Sequence, residues 1–449
     1  MNLTKNDCPT LISGLYNGNV DSDIFYYYNP KGYGNIVTLD KEMQDVLAMS
    51  DGNKTIHEIA SELKLDEDEL TQNIQILVNK EIVTVGNAVR KTENMSKKLD
   101  VWLHVTNDCT LDCKYCYINK CKGDMPFELA KQSIDKLLAS CRASNKEELV
   151  VRFAGGEPTM KLDFLKQIVD YTKNVCGDIK PRFVVLTNGT LISDKFIDFV
   201  KAEKITIGIS LDGIEEYNDK NRYFKSGKGS YKVVIDNINK LLKSGIRPGI
   251  MTTVTNENLD GLKELTAKMI EMGLHFRFSL ERDIQTGNPS ILQNQDLVIE
   301  KINECIQMMM NAVNSGNTKF SFQIGDVYFH RPAKRSCGAA SCSCSIGNDG
   351  KIGICGMGLS VAFTNLDKTD DLMEDVRKYN EELLKVSSDA IEECSSCPWR
   401  YSCSNGCPLQ TKATYGTYRH VSPYCRIYKE TIPNVVKLYA LRTYKQLCE

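Results

Sequence analysis

The chain has 449 residues, 42% hydrophobic and 25% charged, the make-up of a globular protein with room for roughly two to four domains. Its 56 Lys and Arg against 58 Asp and Glu leave a formal charge of −2, which speaks against a general nucleic-acid or anionic-membrane surface. Apolar runs stay far below the ~18 residues that span a bilayer. The mixed stretch Met1 to Thr10 does not read as a secretory signal, so no membrane partner and a cytoplasmic location are expected.

Residues 1–90 form the first expected domain, with a small module over 21–86. Ile24 to Tyr28 and Ile36 to Leu39 read as strands joined by the turn-rich Asn29-Pro30-Lys31-Gly32. Asp40 to Met49 reads as a helix, Thr55-Ile56-His57-Glu58 as the capping box of a second, and Asp66 as the start of a third. Ile82 to Val85 closes the module, giving a winged-helix-like outline, and the polar segment Gly86 to Lys98 is the expected linker.

Residues 98–285 alternate strand and helix. The strands expected are Val101–Val105, Leu149–Phe153, Arg182–Leu186, Ile205–Ser210, Gly249–Val254 and His275–Leu280. Six such units predict a parallel α/β sheet, too short for a closed eight-strand barrel, hence a partial (β/α)6 TIM-like barrel. Asp283 to Asn317 reads as mostly helical, within a connecting segment 286–335. Residues 336–449 read as loop-rich up to Arg426 and helical from Ile427 to Leu447.

Cysteine is the outlier, with 18 residues. Cys109, Cys113, Cys116 and Cys121 form one group. Cys337, Cys342, Cys344, Cys355, Cys394, Cys397, Cys403, Cys407 and Cys425 form another. Disulfide frameworks suit small secreted domains, so metal or cluster ligation is the expectation here. Cys8, Cys141, Cys176, Cys305 and Cys448 read as plain thiols, and the five His residues have no metal-ligand spacing.

Cys109-x3-Cys113-x2-Cys116 follows directly on the first barrel strand, where parallel α/β folds carry their sites. Such a loop can wrap three thiolates around three corners of an iron–sulfur cubane and leave the fourth iron open. The alternative is a closed zinc site with Cys121 as fourth ligand.

Cys109-x3-Cys113-x-Tyr115-Cys116 resembles the signature of the radical S-adenosylmethionine (SAM) enzymes. The resemblance continues strand by strand: Ala154-Gly155-Gly156-Glu157-Pro158 after the second, Thr187-Asn188-Gly189 after the third, Ser210-Leu211-Asp212-Gly213 after the fourth. Arg222 and Gly227-x-Gly229-Ser230 follow. Relatives often carry His-Asp before that Arg, where this chain has Asn218-Asp219. The resemblance implies a [4Fe–4S] cluster on Cys109, Cys113 and Cys116. It implies SAM held by Tyr115, Gly155, Gly156, Glu157, Asn188, Ser210, Asp212 and Arg222, with Arg222 pairing with the SAM carboxylate. It also implies reductive cleavage of SAM to a 5′-deoxyadenosyl radical that abstracts a substrate hydrogen, with a flavodoxin or ferredoxin as electron donor.

Cys394-x2-Cys397-x5-Cys403-x3-Cys407-x17-Cys425, with Cys337-x12-Gly350-x4-Cys355 upstream, resembles the SPASM domain of peptide-modifying radical SAM enzymes. It implies an outer [4Fe–4S] cluster on Cys394, Cys397, Cys403 and Cys425 and an inner one on Cys337, Cys355 and Cys407, three clusters in all. Either Cys342 or Cys344 completes the inner site, or the site stays open to a peptide thiolate. Sulfatase-maturing relatives have an acid after the cysteine at 355, and this chain has Gly356. A pair of zinc sites is the rival reading.

The module over 21–86 resembles the leader-recognition element of enzymes that modify ribosomal peptides. That implies a leader strand added beside Ile36 to Leu39, against the helix Asp66 to Lys80. The acidic start of that helix, Asp66 to Glu69, disfavours DNA. Together these resemblances imply a maturase of sactipeptide type, forming a thioether between a cysteine sulfur and a carbon of another residue in a precursor peptide. The alternatives are a carbon–carbon crosslink or oxidative decarboxylation by the same machinery, and a zinc-bearing peptide adaptor without catalysis.

Overall fold

The computed structural model describes residues 2–32, 36–86, 96–118, 120, 123–327, 329 and 333–448. Residues 87–95 of the expected linker, Cys121 and His330 lie outside the described residues. The first strands are β1 (Pro9–Leu11), β2 (Tyr16–Asn19), β3 (Phe25–Tyr28) and β4 (Ile36–Leu39). They lead into α1 (Lys41–Met49), α2 (Ile56–Leu63), α3 (Glu67–Asn79) and then β5 (Val83–Val85). Each helix starts where a side chain caps it: Asp40, Thr55 with Glu58 in a capping box, and Asp66.

The winged-helix-like outline needs one correction. β5 does not join the β3–β4 pair. It pairs antiparallel with β1, while β2 completes a three-stranded sheet in the order β2-β3-β4. β1 and β2 lie ahead of residue 21 and have three and four residues, too few for a readable alternation.

Successive side chains of β3 face opposite ways. Tyr27 packs in the module's own core with Leu47, Ile56 and Ile59, while Tyr26 and Tyr28 join the main core. Tyr28 is fully buried, its hydroxyl 2.5 Å from Ser402 Oγ and its ring stacked 6.1 Å from Trp399. Tyr28→Ala is therefore expected to cost roughly 3–5 kcal/mol, and Tyr28→Phe about 1 kcal/mol. Equal denaturation midpoints for the two variants would contradict this docking.

The six expected barrel strands are all present: β6 (Lys98–Thr106), β7 (Glu148–Gly155), β8 (Lys180–Thr187), β9 (Thr206–Ser210), β10 (Gly249–Val254) and β11 (His275–Leu280). Each pairs parallel with the next, and helices such as Phe127–Ala143, Leu162–Val175 and Tyr231–Lys243 make the crossovers. The sheet is larger than expected. β12 (Ser321–Ile324), from the connecting segment, adds parallel to β11. β13 (Ser343–Ile346), from the cysteine-rich region, adds parallel to β6, followed by β14 (Lys351–Gly353) and β15 (Thr364–Asn365). β12 and β15 end the sheet, which stays open as a partial barrel. The short β12 and β13 are strands because a long parallel neighbour offers them hydrogen bonds and a buried face. The C-terminal helix Cys425–Cys448 packs on the helix Gln295–Asn314 and lies beside β4.

Candidate functional site

Parallel pairing brings the loops after β6, β7, β8 and β9 to one end of the sheet. The loop after β6 carries Cys109, Cys113 and Cys116. It is strapped to residues 221–224, with Asp112 N donating to Tyr223 O at 2.8 Å and Lys114 N to Asn221 O at 3.1 Å. On its other side, Gly156 N donates to Thr106 O at 2.7 Å and Glu157 N to Asp108 O at 2.8 Å. Gly155 has φ +130°, and a Cβ there would lie 2.2 Å from Thr106 O; at Gly156 it would lie 2.0 Å from Asp108 O. These two glycines let the end of β7 touch the cysteine loop, a packing reason beyond ligand access.

Two of the three thiols receive N–H donors from residues expected at the SAM site. Asn188 Nδ2 lies 3.5 Å from Cys109 Sγ and 2.9 Å from Thr110 Oγ1. Arg222 Nη1 lies 3.9 Å from Cys113 Sγ. Near Cys116, Lys120 is half-buried and held by Asp112 at 2.9 Å.

The expected acidic SAM residues are bonded within the protein. Glu157 is fully buried and accepts from Thr159 N (3.0 Å), Thr159 Oγ1 (2.6 Å), Thr187 Oγ1 (2.7 Å) and Asn188 N (2.7 Å). Burial raises its pKa against the pull of those four donors. Asp212 is also fully buried. It accepts from Arg222 Nε at 2.8 Å, from Thr253 N at 3.0 Å and from the Tyr115 hydroxyl, and the Arg222 guanidinium lies 5.3 Å from the Tyr115 ring. Glu157 thus ties β7 to β8, and Asp212 ties β9 to β10 and to Arg222. Ser210, at the end of β9, is half-buried. Asp219 caps the helix from Tyr231 through the amides of Ser230 and Tyr231, both at 2.9 Å. A Cβ at Gly229 would fall 1.8 Å from the Asp219 carboxylate, so this stretch of the motif shapes the fold.

The second cysteine region separates into two groups. Cys394, Cys397, Cys403 and Cys425 all line one pocket, closed by Trp399, Tyr428 and Ile432. Cys337, Cys355 and Cys407 form the other: Ser336 Oγ donates to Gly406 O, which draws Cys337 and Cys407 together, and a Cβ at Gly358 would touch both Cys355 Sγ (3.6 Å) and Leu409 (3.7 Å), two residues past Cys407. Of the two spare thiols, Cys344 is fully buried on β13, in register with Val101 of β6. Cys342 Sγ packs against Gly338, next to Cys337. Among the described residues no three His, Cys, Asp or Glu side chains converge on a single ion.

Burial raises the pKa of the Tyr117 hydroxyl, and the Cys116 and Cys355 thiols both add to the rise. The Tyr117 ring meets His104 of β6 edge-on at 6.4 Å. His104 is buried, its Nε2 without a partner among the described residues, and burial lowers its pKa to about 4 from the ordinary 6.5. The unfolded chain therefore takes up the proton first as pH falls. Stability is expected to drop by about 1.4 kcal/mol between about pH 7.5 and 5.5, and His104→Leu to flatten that slope. Identical pH profiles in denaturant titrations of both chains would refute it.

Residues 103–269 match the model of the Radical SAM superfamily. An uncharacterized protein of Methanocaldococcus jannaschii is 32% identical over 245 residues, covering 50% of this chain and 82% of that protein. The chain belongs to the radical SAM superfamily. The antilisterial bacteriocin subtilosin biosynthesis protein AlbA of Bacillus subtilis is 25% identical over 341 residues, 71% of this chain and 72% of AlbA. Streptococcus suis SuiB, in a crystal structure bound to precursor peptide SuiA, superposes with a TM-score of 0.53 at 17% identity, covering 90% of this chain and 98% of SuiB. The likeness to SuiB shows the shared fold.

Radical SAM membership implies SAM and a [4Fe–4S] cluster. The residues present fit both: three thiols on one loop at the strand ends, N–H donors at two of them, and a backbone cradle that admits no side chain at 155 and 156. No helix among the described residues is long and apolar enough to cross a membrane.

Proposed function

We propose that this radical SAM enzyme forms a thioether between a cysteine sulfur and a carbon of another residue in a ribosomally made precursor peptide. Cys109, Cys113 and Cys116 hold the SAM cluster; Gly155, Gly156, Asn188, Ser210 and Arg222 contact SAM, with Tyr115, Glu157 and Asp212 holding them in place. Bound SAM and its cluster supply the radical that removes a hydrogen atom from the peptide carbon. The C-terminal region is read as a SPASM domain with an outer cluster on Cys394, Cys397, Cys403 and Cys425 and an inner one on Cys337, Cys355 and Cys407.

The observation that carries this reading is the parallel pairing of β13 with β6, which sets the cysteine-rich region against the strand that leads into the Cys109–Cys116 loop. It supports an inner cluster at the barrel mouth, within reach of a peptide held over SAM. Forming the thioether removes two hydrogens: one atom to the radical, then the thiol proton to solvent and one electron to an acceptor, a role that an inner cluster on Cys337, Cys355 and Cys407 would supply. Gly356 supports the distinction from sulfatase maturation. A side chain there would meet the Trp102 ring, 2.5 Å from the built Cβ, so the space after Cys355 has no room for an acid. The similarity to AlbA supports a peptide substrate. The leader is read by the N-terminal module, where β4 is an edge strand and Ile76 of α3 is exposed. A flavodoxin or ferredoxin supplies electrons.

The test is anaerobic incubation with SAM, reductant and cysteine-bearing candidate peptides. A product that lacks two hydrogens and no longer alkylates at cysteine supports thioether formation. The same mass loss with the thiol still alkylated moves the reading to another bond. No 5′-deoxyadenosine release would leave a non-catalytic adaptor.

A further inference from the structure

Arg282 lies two residues beyond β11 and Asp326 two residues beyond β12, at the carboxyl ends of adjacent parallel strands. Arg282 Nη2 donates to both oxygens of Asp326, at 2.6 and 2.7 Å. Arg277 Nη2 reaches the same carboxylate at 3.3 Å, and the Tyr428 hydroxyl at 3.2 Å. The Arg282 and Asp326 side chains are only 19% and 12% exposed. A buried ion pair of this kind contributes little net stability, because desolvation offsets the attraction. Its surroundings suggest a different use.

After Asp326, the strongest electrostatic neighbour of Arg282 is Cys407. Cys337 and Cys355 in turn both have Arg282 among their neighbours. Geometry agrees: Tyr428, whose hydroxyl reaches Asp326, also packs against Gly406, the residue before Cys407, and Ser336, the residue before Cys337, donates to Gly406 O. The Arg282 Nε–H is buried and has no acceptor among the described residues. A buried donor left over in this way points to an acceptor that binds there. The segment is held in place: Asp283 N donates to Gln410 Oε1 at 2.8 Å, three residues from Cys407, and the Tyr424 hydroxyl donates to Glu281 O. On the far side of Asp326, Tyr428 lines the pocket of the outer four cysteines.

We infer that Arg282, held by Asp326, is the resident cation of the inner cluster, favouring its reduced form through its charge and its free Nε–H. The inference rests on the three-cluster reading above. Thiolate-bound clusters gain negative charge on reduction, and nearby charge and hydrogen bonds to sulfur set their potential. Arg282 is a positioning residue for the cluster's electronics and touches no reacting atom of the peptide. An inner cluster kept easier to reduce is a suitable acceptor for the electron released when a carbon–sulfur bond closes.

The experiment uses the full chain with Cys109, Cys113 and Cys116 changed to Ala, reconstituted anaerobically, so that only the auxiliary clusters remain. Iron is counted, and both clusters are titrated by low-temperature electron paramagnetic resonance. Arg282→Met is expected to make the inner cluster at least tenfold harder to reduce, 59 mV for a one-electron couple. Asp326→Asn leaves two cations without their counter-charge and is expected to shift the same cluster tenfold the other way. Arg282→Lys keeps the charge and is expected to shift it less than Arg282→Met. If Arg282→Met does not fold, the sign of the Asp326→Asn shift decides. General damage to packing would not produce opposite shifts from the two ends of one ion pair. Unchanged potentials, or shifts in one direction for both, with roughly eight irons bound, overturn the role of Arg282 alone. Few or no irons in the parent chain overturn the cluster reading itself, and the inference with it.

Discussion

Gly156→Ala is expected to reduce SAM cleavage by roughly a hundredfold or more and to cost about 2–3 kcal/mol of stability. The added methyl would sit 2.0 Å from Asp108 O and 2.7 Å from Asn107 O, both backbone atoms that cannot rotate away. The loop must retreat by about 1 Å or more, and that loop carries Cys109. The Glu157 N to Asp108 O bond, 2.8 Å, is lost with it. Gly249→Ala in β10 is the control: its nearest contact would be His275 Cδ2 at an ordinary 3.5 Å. Thermal unfolding and 5′-deoxyadenosine release, measured side by side, check both effects. Full cleavage activity in Gly156→Ala would mean that the close approach of β7 to the cysteine loop is not needed.

Asp212→Ala is expected to cost about 3–5 kcal/mol, because it strands a buried guanidinium. Arg222 is only 11% exposed, and its Nε loses its acceptor. The Tyr115 hydroxyl and Thr253 N lose theirs as well. The double change Asp212→Ala with Arg222→Met is expected to recover more than half of that loss, since the uncompensated charge is gone. SAM binding does not recover with it, because the donor expected at the SAM carboxylate has been removed. Denaturant titration gives the stabilities, and equilibrium dialysis gives SAM affinity. Additive losses in the double variant would show that the two side chains do not act as one unit.

The same residues mark how far the sequence reached. The order of motifs after successive strands was legible, because each motif is local and each strand is a short apolar run between helices. That thirteen cysteines fall in two stretches is legible in the sequence, and Cys394, Cys397, Cys403 and Cys425 line one pocket. The work of Glu157 and Asp212 was not legible. Motif position marks them as SAM residues, but their hydrogen bonds run to Thr187, Asn188, Arg222 and Thr253, and only strand register brings those partners in. Cys342 and Cys344 looked equivalent in sequence. The pairing of β13 with β6 turns Cys344 into the core, and a period of two leaves its neighbours on the other face.

By itself, the sequence determined the alternating α/β core, the cysteine-bearing loop at its mouth and the chemistry those thiols point to. Helical and strand periodicity and ligand spacing are properties of neighbouring residues, and they survive in a one-dimensional reading. The tertiary structure alone decided the contacts made across long separations. Tyr28 meets Ser402 across 374 residues, Arg282 meets Asp326 across 44, and β13 pairs with β6. Such contacts follow from which faces are buried against each other and in what register. No local pattern encodes that, because many partners would satisfy the same buried hydroxyl or charge.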